Sequence, residues 1–180
     1  MKQVNNRMKF AAKQTGVTLI ELIVGLVIIA LIVAGALALF GTAQSSQSST
    51  QMVQDLTAMR STTKSLYMGQ GNYGTSGNNL NDILVIAKRV PTTIKIDTST
   101  TPDTLTHQMN GTVNVASTGA GFTITLTNIP ADVCVPLMTG AQNWTSVKAG
   151  TATAITTFPV AAATAATDCA TGTTMVFTGS

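Results

Sequence analysis

Glu21 is the residue whose position most demands a chemical explanation. It is a carboxylate at the head of an apolar run, and Leu22 to Gly41 follow it as 20 residues without a charge. An ionisable group in a membrane costs about 2.5–3.5 kcal/mol at a helix centre and less near an end, so it implies a function and a partner. A cut between Gly16 and Val17 would supply the partner, a new α-amine four residues before Glu21. That amine is cationic at neutral pH, with an ordinary pKa of about 8. The pair could form within one helix. Between neighbouring chains it would also set axial register, because an unpaired carboxylate in a packed helical core is strongly unfavourable.

The other candidate groups make no catalytic set. His107 is the single histidine and lies in a Thr-rich, loop-like stretch, where a solvated ring is expected; alone it cannot build a zinc site. The serines lack a Gly-x-Ser-x-Gly elbow. The glycine clusters near Gly69 and Gly119 lack the strand-to-helix context and the lysine of a phosphate loop. Asp97 and Asp103 flank Thr, Ser and Pro and read as turn formers, and Lys88-Arg89 reads as charge at a helix end. Asn110-Gly111-Thr112 and Asn143-Trp144-Thr145 match glycosylation sequons, which we read as chance. No catalytic activity, cofactor or metal is expected.

The apolar run must be the element that positions Glu21. As a helix rising 1.5 Å per residue it reaches about 30 Å, the thickness of a bilayer core. Four of the ten basic residues (Lys2, Arg7, Lys9, Lys13) precede it and none follows before Arg60. The leader therefore stays cytoplasmic and the remainder is exported. An ordinary signal peptide, cut at Ala36-Leu37-Ala38, would have a shorter apolar run and no Glu21. A plain signal anchor accounts for length and orientation but not for the carboxylate. The uniform apolarity from Leu22 onward excludes an amphipathic surface helix.

Export also fixes the expectation for Cys134 and Cys169, since disulfides persist outside the cytoplasm. A bridge closing the 34 residues between them would stabilise by about 3–4 kcal/mol on the chain-entropy model. The formal charge of +3 belongs to the leader. Beyond residue 16, six Lys/Arg stand against all seven acids and leave −1. Nucleic-acid binding by net charge is thereby disfavoured. Charged residues make up 9% of the chain and aromatics 4%. Thr, Ser, Ala and Gly take their place, as in secreted surface proteins built on hydrogen-bonded β-structure.

Lys13-Gln14-Thr15-Gly16-Val17-Thr18-Leu19-Ile20-Glu21-Leu22 resembles the class III signal sequence of type IV pilins. That pattern is a basic leader, a Gly, a hydrophobic first mature residue, commonly Phe or Met, and Glu as the fifth. The resemblance implies that a prepilin peptidase cuts after Gly16 and N-methylates Val17, and that Glu21 is the assembly residue. It also implies residues 1–16 as leader, 17–41 as transmembrane and filament-core helix, and 42–180 as an extracytoplasmic head. The expected partners are other copies of the chain, the prepilin peptidase, the inner-membrane assembly machinery and, before assembly, the membrane itself.

Apolar spacing resumes at Met52, Leu56, Met59, Leu66 and Tyr67, an amphipathic face suited to a sheet. The pattern predicts one helix from about Thr18 to about Met68, ended by Gly69 to Gly74. Gln44 to Gln51 could instead be a linker, and Gly25, Gly35 and Gly41 are points where the helix could bend. A short helix over Asn81–Arg89, with Asn or Asp caps, is stopped by Pro91. Thr112–Val115 and Phe122–Thr127 alternate strictly and read as a β-hairpin. Pro130 fits the first turn of a helix carrying Cys134 and Leu137. A β segment near Trp144–Lys148 and a strand Thr173–Phe177 complete an α+β head.

The longer leader, the hairpin, the Asn128-Ile-Pro-Ala-Asp-Val-Cys134 turn and Cys169 resemble the type IVb group, which includes bundle-forming and conjugative thin-pilus pilins. By that resemblance Cys134 and Cys169 bracket the variable D-region. The function expected is the major subunit of a type IVb pilus serving adhesion, aggregation or conjugation. The alternatives are a minor pilin, a type II secretion pseudopilin or, with less support, a DNA-uptake pilin. Major pseudopilins tend to carry an acidic Ca²⁺-binding loop and no disulfide, unlike this chain.

Overall fold

Once the apolar run begins as a helix, nothing in the sequence stops it until the glycines. In the computed structural model, which describes residues 18–170 and 172–180 and the side chains of all of these but 38–43, helix α1 runs Leu19–Tyr67. Residues 44–51 are helical, not a linker, and the helix continues through Gly25, Gly35 and Gly41. It ends before Gly69, whose φ of 96° only glycine adopts freely. The chain divides into two compact units, one ending at Gly41 and the other spanning Thr42–Ser180.

The second unit is a six-stranded antiparallel sheet with helices. Strands β1 (Lys95–Asp97), β2 (Thr104–Thr106), β3 (Thr112–Ser117), β4 (Phe122–Leu126), β5 (Ser146–Ala149) and β6 (Met175–Gly179) lie in the order β1-β2-β3-β4-β6-β5. Period-two alternation aims one face inward. Its register builds continuous apolar rows: Val115, Ile124, Phe177 and Val147 lie side by side across four strands, as do Val113, Leu126, Met175 and Ala149. All eight are buried. Met52, Leu56 and Met59 of α1 belong to the same core, as the helical spacing predicts. Each cross-strand apolar pair adds about 0.2–1 kcal/mol.

Three shorter helices complete the unit: α2 (Asn81–Ile86), α3 (Ala131–Thr139) and α4 (Ala162–Cys169). The hairpin, the helix after Pro130 and the closing strand match the expectations, although Pro130 is the N-cap of α3 rather than part of its first turn. The helix expected over 81–89 stops at Ile86 instead. Lys88 turns left-handed (φ 55°), and the Lys88 and Arg89 amides close back on the Val85 and Leu84 carbonyls. That is a Schellman ending with lysine where glycine is usual. The N-cap of α2 is Leu80, without a side-chain cap; Asn79 Oδ1 instead accepts the Asn81 amide at 2.8 Å. Strands β1 and β2 and helix α4 had no sequence expectation.

Candidate assembly helix and head

Thr18 starts α1 by ordinary capping chemistry. The Leu22 amide donates to the Thr18 carbonyl at 3.1 Å, and the Glu21 amide donates to Thr18 Oγ1 at 3.4 Å. Thr18-x-x-Glu21 is the spacing of a capping box, a signal present in the local sequence. Glu21 lies in the first turn, where the helix dipole favours a negative charge. Gly16 and Val17 lie outside the described residues, so the cut and the amine it would make have no geometry here.

Around Glu21 the helix is apolar on every side. From Leu19 to Leu37 it is long and apolar enough to cross a bilayer, and none of that stretch is buried within the chain. Leu22, Leu26, Ile29 and Val33 on one flank and Ile23, Val27 and Leu31 on others are all exposed. A helix apolar all round needs lipid or other helices as its solvent.

Below Gly41 the inner face of α1 meets a polar cluster. Asp55 is buried and its Oδ1 accepts from Thr93 Oγ1 at 2.7 Å and from Gln51 Nε2 at 3.0 Å. His107, expected in solvent, is only 2% exposed. Its Nδ1 accepts the Met109 amide at 3.3 Å, while Nε2 lies 2.8 Å from the Thr127 carbonyl oxygen, which can only accept. The two bonds together require the neutral tautomer protonated on Nε2. Burial pushes the His107 pKa down, against a weaker upward pull from the Thr127 bond and the Asp55 charge. Gly111 is obligatory beside it, since a Cβ would collide with the Thr127 carbonyl and the imidazole. The neighbouring Gln108 Nε2 donates to the Ser48 carbonyl of α1 at 3.0 Å. The histidine is thus a strut for the β2–β3 turn.

The expected disulfide is formed: Cys134 of α3 and Cys169 of α4 are bonded, with Cα atoms 5.8 Å apart. Asn81, which sequence reasoning treated as a cap, is buried and holds strands together. It donates to the Asp103 and Val113 carbonyls at 3.0 and 3.2 Å and accepts the Val115 amide at 3.0 Å. Arg60 lies over the Trp144 ring, 5.3 Å from its centroid, and Trp144 packs on Phe122 and Phe177. A cation–π contact of this kind is worth about 0.5–2 kcal/mol. Asp97 accepts from the Ser99 amide and hydroxyl, the turn-forming role its neighbours suggest; those bonds hold its pKa down. Asn110 and Asn143 of the two sequons stand at φ 58° and 65°, a conformation asparagine tolerates better than most residues. Among the described residues no group of three or more His, Cys, Asp or Glu could hold a metal.

Residues 45–180 match the PilS N-terminal family, and residues 11–37 match the prokaryotic N-terminal methylation motif. The crystal structure of a type IVb pilin from Salmonella typhi is similar to this chain at 25% identity with a TM-score of 0.53. The similarity covers 69% of this chain and 96% of that one. No curated protein sequence matches.

Proposed function

We propose, for a chain that belongs to the PilS family of type IV pilins, the role of major subunit of a type IVb pilus. The observation that carries this reading is Glu21 in the first turn of a helix whose apolar side chains from Leu19 to Leu37 are exposed on all sides. Such a helix suits a bilayer first and a bundle of identical helices afterwards.

In this proposal residues 1–16 are the cytoplasmic leader, 17–41 the membrane and filament-core helix, and 42–180 the exported head. A prepilin peptidase cuts between Gly16 and Val17 and methylates the new amine. The cut removes four cations that would resist leaving the cytoplasmic face and creates a cation next to the acid. Methylation keeps that amine basic. Glu21 of one subunit then meets Val17 of itself or of its neighbour. Where the pair forms between neighbours, only the aligned register neutralises both groups, since a buried charge that loses its partner costs about 3–5 kcal/mol. The disulfide-bonded head and dispersed carboxylates favour a pilin over a pseudopilin. Six scattered Lys/Arg in the mature chain give little support to DNA uptake.

The test is Glu21→Ala in cells that lack the native subunit. Processed, membrane-held protein with no filaments is the expected result. Normal filaments built from processed Glu21→Ala subunits would remove the register role.

A further inference from the structure

We propose that helix α4 is a flap clasped by the disulfide: when Cys134–Cys169 is reduced, residues 161–170 leave the head while the six-stranded sheet stays folded. Beyond the disulfide, helix α4 packs on α3 through small side chains. Its sequence, Ala-Ala-Thr-Ala-Ala-Thr-Asp-Cys, buries only Ala165 and Cys169, and its N-cap Ala161 offers no side-chain bond. Thr167 Oγ1 donates within the helix, to the Ala163 carbonyl, and Asp168 has an interaction of its own. Eight residues are fewer than the 12–15 or so that an isolated helix needs even to be marginal in water.

The clasp itself is deep. Cys134 is fully buried on α3 and Cys169 is 4% exposed, with Cys169 Sγ 3.5 Å from Met138 Sδ. Both flanks of α4 are independently fastened. Upstream, Val147 and Ile155 exchange backbone bonds at 3.0 and 2.8 Å, and Val160 is buried. Downstream, the Ile129 amide donates to Thr173 at 2.8 Å and the Gly150 amide to Thr174 at 2.7 Å. Strand β6 then enters the sheet between β4 and β5. Helix α4 is therefore an excursion between two fixed points, and its departure interrupts no strand pairing. Local opening of this kind is expected where few apolar contacts hold a segment.

A dithiol reductant performs the release with balanced chemistry. Its first thiolate attacks one sulfur to give a mixed disulfide, and its second closes the reductant's own disulfide. Two electrons and two protons end on Cys134 and Cys169 as thiols. The opened flap uncovers these thiols and Met138, so oxidation is what completes the surface of this side of the head.

Hydrogen exchange with mass spectrometry on the full chain in detergent, with and without dithiothreitol, tests this. Iodoacetamide reports the thiols. The expected result is alkylation of both cysteines and exchange at least about tenfold faster within 161–170, with β4 and β6 still protected. Unchanged protection of 161–170 in the alkylated protein would overturn the proposal, because the helix would then hold itself. Loss of protection across β4 and β6 would also overturn it, because the disulfide would then support the whole head. If the native bond resists the reductant, the Cys134→Ala/Cys169→Ala double variant carries the same measurement. Failure of that variant to fold counts as the second contrary result.

Discussion

His107 shows how a single buried polar group sets a pH limit. Its ring is neutral in the folded head because Nδ1 is already an acceptor for the Met109 amide, so a second proton would face a donor. The folded pKa lies below the ordinary value of 6.5. The unfolded chain therefore takes up the proton first as pH falls, and stability rises with pH wherever the unfolded state binds more protons. The contribution of His107 is intact above about pH 6.5 and is lost progressively as pH drops towards the folded value. The negative charge of Asp55 softens the loss without reversing it. A thermal melt should thus fall between pH 7 and pH 5. His107→Gln should melt with a shallower dependence over that range, after an initial cost of about 1–3 kcal/mol from imperfect pairing of the Thr127 carbonyl and Met109 amide. An unchanged slope in His107→Gln would place the pH sensitivity elsewhere.

Among the elements, α2 is short, closed by the left-handed turn at Lys88, and is anchored by the buried Asn81 and Leu84. Asn81 ties α2 to β3 and to the residue preceding β2 through three hydrogen bonds. Asn81→Ala should destabilise the head by about 3 kcal/mol, measured by chemical denaturation, because it strands buried backbone groups. A loss under 1 kcal/mol, within the range of ordinary surface changes, would mean water replaces the amide. Residues of this type explain what the sequence concealed. The long helix and the β3–β4 hairpin were legible because apolar residues recur there at the period of the element. Strands β1 and β2 are three residues each, too short for alternation to be read. Helix α4 repeats its apolar residues at helical spacing only as Ala162, Ala165, Ala166 and Cys169, side chains too small to announce a hydrophobic face. Asn81 and His107 are polar types whose burial depends on partners distant in sequence, and no local pattern announces that. Thr18 is the reverse case, a cap written in the local spacing to Glu21.

For the whole molecule, charge and apolarity are divided along the chain. The excess cations precede residue 17, the uncharged helix follows, and the mature remainder carries −1. Under the proposed cut, such a chain gains a self-consistent electrostatic arrangement once the leader is gone and the new terminus can meet Glu21. In that proposal processing and polymerisation are two consequences of one cut. The most direct measurement is the intact mass of subunits recovered from filaments. The account predicts a chain beginning at Val17 with one added methyl group. A subunit that retains residues 1–16, or that begins after Ala38, would contradict it.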